Sequence, residues 1–301
     1  MNIHTLDLGF RNLPGAAAAF LVTGGGEHLL VECGPAACHE RLLKGLARHG
    51  SSPDRIAHLF LTHIHLDHAG ASGLLARRGA AVHVHPKGAR HLVDPERLNA
   101  SASRVFGDAL EPELGRMVAC PADQVHPTEA GAVVPTEAGS FTALETPGHA
   151  GHHHAWLIED PSGERHLFSG DAAGMRLPGT RFPTFPMVPP EFDLERWLQS
   201  IETMIEADPT SLWMTHFDRI EDPLEHLHRV RGDLVEETRQ VCTFLEEDES
   251  SAVDRYRRWH LEQATSRGVD PRLLERHCTG THYATNLTGV ARWLRQGGTV
   301  P

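Results

Sequence analysis

The densest chemistry in this chain is Thr62-His63-Ile64-His65-Leu66-Asp67-His68, where four side chains able to ligate a metal fall within six residues. The run follows directly on the apolar segment Ile56-Ala57-His58-Leu59-Phe60-Leu61, which reads as a buried strand. In an extended segment, side chains two apart point the same way. His63 and His65 can therefore hold one ion, and Asp67 and His68, a step further on, can face a second. Neutral imidazole is the commonest metal ligand in proteins. The plainer reading is a polar turn in which Asp67 or His68 caps the next helix. Crowding Asp and His at a strand end needs a counter-charge, however, and a divalent ion supplies one.

One motif does not close a site. Three further ligand types stand at the ends of other short apolar runs: His149 in Thr146-Pro147-Gly148-His149, Asp171 in Ser169-Gly170-Asp171, and His216 in Thr215-His216-Phe217. That repetition is what a site built along a sheet edge requires. The chain has 23 histidines, and most of the others read as structural. His83 and His85 share one side of a strand but have no carboxylate near them in sequence. His226 and His228 look in different directions on a helix, and His154 starts a strand. His152 and His153 are close enough to His149 to support it or to touch substrate. The proline-rich stretch 172–190 begins beside Asp171, so its apolar residues are candidates to line a pocket, and Arg176 or Arg181 to bind an anionic substrate group. Tyr283, one of two tyrosines, offers a hydrogen bond to substrate if the C-terminal segment folds over the site; otherwise it starts a surface helix.

These residues need elements to carry them. Strands are predicted at 3–8, 16–22, 27–32, 56–61, 81–85, 140–146, 154–160 and 165–169, with a last strand at 212–215. Helices are predicted at 38–49, 69–78, 87–106 and 193–206, while 121–139 reads as loops with short strands and 172–190 as one long loop. From Pro223 to Arg295 the periodicity is helical throughout. Interleaved strands and helices over two similar stretches indicate an α/β protein with helix-covered sheets. The expected division is a catalytic domain at 1–222 and a helical extension at 223–301. The extension either caps the site or builds a homodimer, the default symmetric oligomer.

Composition narrows the function classes. The 28 Lys and Arg against 40 Asp and Glu give a net charge of −12, which disfavours a general nucleic-acid binder. No run approaches the length of a membrane span. Residues 1–24 lack a cationic start followed by a long apolar stretch, so a cytoplasmic protein is expected. The five cysteines are scattered without a C-x-x-C pair, which suits a reducing compartment. Cys33 and Cys38 read as small buried apolar residues.

The ordered set His63-x-His65-x-Asp67-His68, His149, Asp171 and His216 resembles the metallo-β-lactamase superfamily over about residues 1–220. That resemblance implies an αβ/βα four-layer sandwich, two facing sheets with helices outside, here with the C-terminal helical extension. It implies a first metal on His63, His65 and His149, a second on Asp67, His68 and His216, and Asp171 as the bridge. A hydroxide between the metals would be the nucleophile, with Asp67 also in a catalytic role, orienting it or taking up a proton. All-His/Asp ligation suits zinc first, with iron or manganese as alternatives. Where the family usually has Asp after its third strand, this chain has Glu32, one methylene longer, behind the ligands. Where the lactamase branch carries a ligating cysteine, this chain has Asp171, which disfavours β-lactam hydrolysis.

The pattern is similar to the glyoxalase II, lactonase and phosphodiesterase-like branches, and residues 85–98 resemble uncharacterised bacterial and archaeal members. The expected function is cleavage of a small-molecule ester, thioester, lactone or phosphodiester. Arg257, Arg258 and Arg276 are the available residues for a glutathione site of the glyoxalase II kind. The alternative is a mononuclear iron enzyme that oxidises sulfur, similar to persulfide dioxygenases, using His63, His65 and His149 or Asp171. A non-catalytic member would be expected to lack ligands, and all seven positions are filled here.

Overall fold

A computed structural model describes residues 1–246 and 249–301. The N-terminal half winds β1 (Asn2–Asp7), β2 (Ala18–Gly24), β3 (Glu27–Val31), α1 (His39–Arg48), β4 (Ile56–Phe60), α2 (Leu66–Ala69), α3 (Ser72–Ala76), β5 (Ala81–Val84), α4 (Pro86–Val93), α5 (Glu96–Phe106) and β6 (Val125–Pro127). These strands form one six-stranded sheet in sequence order, antiparallel through β1, β2 and β3 and parallel from β3 to β6. The second half gives β7 (Val133–Thr136), β8 (Gly139–Glu145), β9 (His154–Glu159), β10 (Arg165–Phe168), the two-stranded hairpin β11 (Met175–Arg176) and β12 (Pro183–Thr184), α6 (Leu194–Glu206), β13 (Ser211–Met214) and β14 (Asp218–Ile220). The second sheet has the order β14-β13-β10-β9-β8-β7. The chain closes with α7 (Pro223–Glu246), α8 (Glu249–Ser266), α9 (Pro271–His277) and α10 (Gly280–Arg295).

Three apolar layers explain why the sheets face one another. Side chains two apart on a strand share a face, so β2 turns Phe20 and Val22 inward and Ala19 and Leu21 outward. The inward set meets Phe141, Trp156, Phe168 and Trp213 of the second sheet. Phe60 stacks on Phe141 with ring centroids 3.9 Å apart and meets Trp156 edge-on at 5.0 Å. Edge-on aromatic pairs such as the second add about 0.5–1.5 kcal/mol to the burial itself. The outward set of the first sheet packs against Leu42 and Leu46 of α1 and Leu92 of α4. The outer face of the second sheet packs against α6 and continues into α7, α8 and α10 through Trp197, Leu234, Tyr256 and Trp293. Helix, sheet, sheet and helix are the four layers that the resemblance implied.

Local departures from the predicted elements have local causes. The helix expected at 87–106 breaks into α4 and α5 at Asp94-Pro95. Proline disfavours the helical region for the residue before it, and Asp94 is extended at φ −127°, ψ 91°. The helix expected at 69–78 begins earlier, at Leu66, and divides into α2 and α3. The stretch 172–190 is not wholly irregular, because Met175–Arg176 pairs with Pro183–Thr184. A further strand, β14, follows the one expected to be last. Residues 247 and 248 of the expected helical span lie outside the described residues. Among the described residues no helix is long and apolar enough to cross a membrane.

Candidate metal centre

Each of the seven ligand-type side chains sits at or just beyond the end of a strand. His63 and His65 follow β4, and α2 then lifts Asp67 and His68 to the same edge. His149 lies between β8 and β9, Asp171 follows β10, and His216 follows β13. Glycine is required at two of these turns. A Cβ on Gly148, at φ 129°, would lie 2.4 Å from the Trp197 backbone. One on Gly170, at φ 51°, would lie 2.5 Å from Thr62 Oγ1 and 2.7 Å from His153 Nε2. These glycines let His149 and Asp171 approach the strand edge closely.

The seven residues gather as two sets with a shared carboxylate between them. In the first, His65 Nδ1 is 2.9 Å from both His63 Nε2 and His149 Nε2. In the second, His68 Nε2 is 3.2 Å from His216 Nε2, with Asp67 Oδ2 3.9 Å from the former and 3.6 Å from the latter. Asp171 directs Oδ2 to His149 Nε2 at 3.3 Å and Oδ1 to His68 Nε2 at 3.2 Å and His216 Nε2 at 3.6 Å. His63, His65 and His149 could hold one ion, and Asp67, His68 and His216 another.

The hydrogen bonds behind the rings decide which nitrogens face inward. A carbonyl oxygen can only accept, so the Nδ1–H of His149 donates to Pro186 O (2.8 Å) and that of His216 to Ala16 O (2.5 Å). His68 Nδ1 likewise donates to Glu32 Oε1 at 2.9 Å. The Thr62 hydroxyl donates to Glu32, which leaves it to accept from His63 Nδ1 at 3.0 Å. Four rings are thereby held with Nε2 pointing into one small volume, beside a buried carboxylate. Ring nitrogens crowded in this way call for a proton or a metal cation among them, and Asp171 Oδ1, buried, finds no well-formed hydrogen bond there. The donor set fits divalent metals bound through imidazole and carboxylate.

Electrostatics agree. Burial, then mutual repulsion among the rings, holds His63 well below the usual histidine range; burial and His149 hold His65 down to about 3. Burial opposes charge on His68 and on Asp171 alike. For His68 it is outweighed by Asp171, Asp67 and Glu32, which raise its pKa; for Asp171 it is outweighed by His68, His149 and His216, which lower it. The negative potential that draws a proton onto His68 is the one that would draw a metal.

Residues 13–216 match the family model described as the metallo-beta-lactamase superfamily, and the chain belongs to that superfamily. Its members are mostly metal-dependent hydrolases. The chain is 26% identical over 234 residues to the metallo-beta-lactamase fold-containing protein ST1585 of Sulfurisphaera tokodaii, covering 76% of this chain and 84% of that protein. The crystal structure of ST1585 superposes with a TM-score of 0.65 at 21% identity over 96% of this chain and 98% of that one. The metallo-beta-lactamase family protein TTHA1429 of Thermus thermophilus gives 0.68 at 21% identity, over 93% and 89%. MEM-A1, a subclass B3 metallo-beta-lactamase from a soil metagenome library, gives 0.56 at 17% over 77% and 91%. At these identities the structural likeness shows the fold.

The remaining sequence candidates divide. Glu32 is fully buried; besides His68 and Thr62 it accepts from Thr215 Oγ1 at 3.3 Å. His152 lines the cavity beside the centre, with Nε2 3.7 Å from Glu191. His153, weighed only alongside it, accepts from the backbone N–H of Asp171 at 3.2 Å and meets Thr146 Oγ1 at 2.8 Å. Arg176 also lines the cavity, but its Nε donates to Phe217 O at 3.1 Å. Arg181 is exposed and paired with Glu225 and Asp222, away from the pocket. Arg257 pairs with Glu275, and it, Arg258 and Arg276 are not among the residues lining the cavity. Tyr283 is neither a surface helix start nor a pocket residue: it is fully buried among the C-terminal helices. Of the 172–190 residues, Met175 and Leu177 reach the cavity, while Phe182, Phe185 and Met187 pack into the outer core.

Sequence reasoning named Glu32 behind the candidate ligands but missed the Pro186 and Ala16 carbonyls that hold His149 and His216, since a backbone carbonyl carries no sequence signal. It also passed over Asn286, whose Oδ1 accepts from Met187 N (2.9 Å) while Nδ2 donates to Phe185 O (2.7 Å) and Tyr256 Oη (3.0 Å). Asn286 thus grips both neighbours of Pro186, whose carbonyl orients His149.

Proposed function

We propose that the protein is a hydrolase with a binuclear metal centre, held by His63, His65 and His149 on one side and Asp67, His68 and His216 on the other, with Asp171 between them. The observation that carries this reading is Asp171, whose two oxygens divide between the two histidine sets. The metals, zinc before iron or manganese, would polarise the scissile carbonyl or phosphoryl group and bring a water to a pKa of about 7. The chain's own residues do the rest. Glu32, Thr62 and the Pro186 and Ala16 carbonyls fix the ring orientations. Asp67, the most open of the carboxylates, faces the cavity and is placed to orient the attacking water and receive its proton.

The cavity in front of the centre measures about 820 Å³. Its wall is mainly apolar, with Phe10, Leu98, Phe106, Met175, Leu177 and Val188. Such a wall favours an ester, thioester or lactone with an apolar portion over a phosphodiester, whose charge would need more than Arg11 and the half-committed Arg176.

Elemental analysis of protein purified without added metal tests the centre first. The expected result is at least two equivalents of zinc or other divalent ion outside cysteine sites, with ester or lactone hydrolysis lost by more than a hundredfold in Asp171→Ala. A single iron, with oxygen uptake on persulfides, would replace this reading with the sulfur-oxidising one. Full metal content with no turnover across esters, thioesters, lactones, β-lactams and phosphodiesters would sink the hydrolase.

A further inference from the structure

A second, separate cluster of ligand atoms lies in the C-terminal helices. His260 on α8, Cys278 in the link between α9 and α10, and His282 on the first turn of α10 place one ligand atom each within 4.8 Å of one another. His260 is 1% exposed, and neither of its ring nitrogens has a hydrogen-bond partner among the described residues. Leaving a buried polar atom without a partner costs about 1–3 kcal/mol, so an imidazole orphaned at both nitrogens calls for a reason. Cys278 is buried and not in a disulfide. The buried carboxylate of Glu237 stands at the edge of the cluster, with Oε2 4.0 Å from His260 Nε2. On its other side Glu237 accepts from the Tyr256 hydroxyl. His282 Nε2 meets the Asn286 amide at 3.4 Å.

We infer that His260, Cys278 and His282, with Glu237 or a water as the fourth ligand, form a further transition-metal site of the zinc class. The inference does not rest on the binuclear reading. Two imidazoles and a thiolate are ligands that zinc takes in closed tetrahedral sites. Ligand atoms around one such ion lie roughly 3.3–3.8 Å apart, given bonds of about 2.0–2.3 Å, so the side chains need draw in by only about 1 Å. Burial keeps His282 near a pKa of about 4 and His260 low as well, so both rings are neutral and able to ligate. Binding would release the Cys278 thiol proton. Cys278 and His282 also line the cavity that leads to the first centre, which gives the ion a route in. Bound there, it would pin α8 to the α9–α10 link and fix that wall of the pocket.

Cobalt distinguishes the two centres, because the first has no sulfur ligand. Metal-free full-length protein titrated with Co²⁺ alone should develop a thiolate-to-cobalt charge-transfer band in the near ultraviolet, whose intensity at saturation corresponds to one thiolate-bound cobalt per chain. The band should persist in Asp171→Ala and vanish in Cys278→Ser and in His260→Gln. Wild-type protein loaded with zinc should carry one more equivalent than Cys278→Ser, whatever the occupancy of the first centre. Absence of the band in wild type would overturn the site, and that measurement needs no variant to fold. Survival of the band in Cys278→Ser would overturn it too, assigning it to another cysteine.

Discussion

Glu32 shows how much one side chain can organise. It sits at the end of β3 at φ 61°, in the left-handed region that non-glycine residues seldom occupy. Such a conformation costs on the order of 1–3 kcal/mol and persists where surroundings enforce it. Here the enforcement is the hydrogen bonds from His68, Thr62 and Thr215. Glu32→Gln keeps the shape but removes the charge that holds the His68 tautomer. Partners behind metal-bound histidines typically govern affinity by about 10–100-fold. The expected outcome is a loss in that range at the Asp67–His68–His216 set, read by competition with a chromophoric chelator. Unchanged affinity would mean that Glu32 merely fills space.

Among the elements, α10 has a reach that its place in the chain does not suggest. Asn286 holds the backbone on both sides of Pro186, and the Pro186 carbonyl takes the Nδ1 proton of His149. The C-terminal helices therefore do more than cover the second sheet; they set the ground on which one candidate ligand stands. Asn286→Ala would remove the side-chain bonds to the Met187 N–H and the Phe185 carbonyl, leaving these two buried groups only their mutual bond at 3.2 Å. A loss of about 1–3 kcal/mol in stability is expected from the two lost hydrogen bonds, measured by urea unfolding. Metal at the His63–His65–His149 set should weaken as well. A stability loss with metal affinity intact would separate the helix from the centre.

For the molecule as a whole, the many buried histidines outside the first centre determine how it responds to acid. Burial holds His83 down to about 3, His154 to about 4 and His226 to about 4. His226 donates from Nε2 to Ala173 O at 3.1 Å, which leaves Nδ1 as the nitrogen that would take up a proton. For each of these, the folded pKa lies below the unfolded value of about 6.5. The unfolded chain then binds more protons between the two values, so stability rises with pH across that window. It is fully present above about pH 6.5 and is lost as pH falls toward 4. For His226 alone the loss amounts to about 3 kcal/mol at most. Urea midpoints recorded from pH 8 to pH 4 should fall steeply below 6.5, and His226→Asn should show a shallower slope over that range. An equal slope in the variant would contradict the assignment.

Much of the candidate site was legible in the sequence because its ligand-type side chains cluster at strand ends. A strand places alternate residues on one side, so His63 and His65 announce themselves by spacing, and His149, Asp171 and His216 by following apolar runs. The layered fold was legible for a similar reason: periodicities of two and of three to four alternate along residues 1–222, and interleaved elements of that kind must cover a sheet. Pairings between distant residues carry no such periodicity. Only the tertiary structure placed the Pro186 and Ala16 carbonyls behind His149 and His216, gave His153 the Asp171 amide, and buried Tyr283 instead of leaving it at a surface. It also set His260 beside Cys278 and His282, residues 18 and 22 positions further along, on three different elements. Short-range spacing reports what one element presents to its neighbours. What those neighbours are is decided by how the layers pack, and there the second ligand cluster and the support of the first come into being.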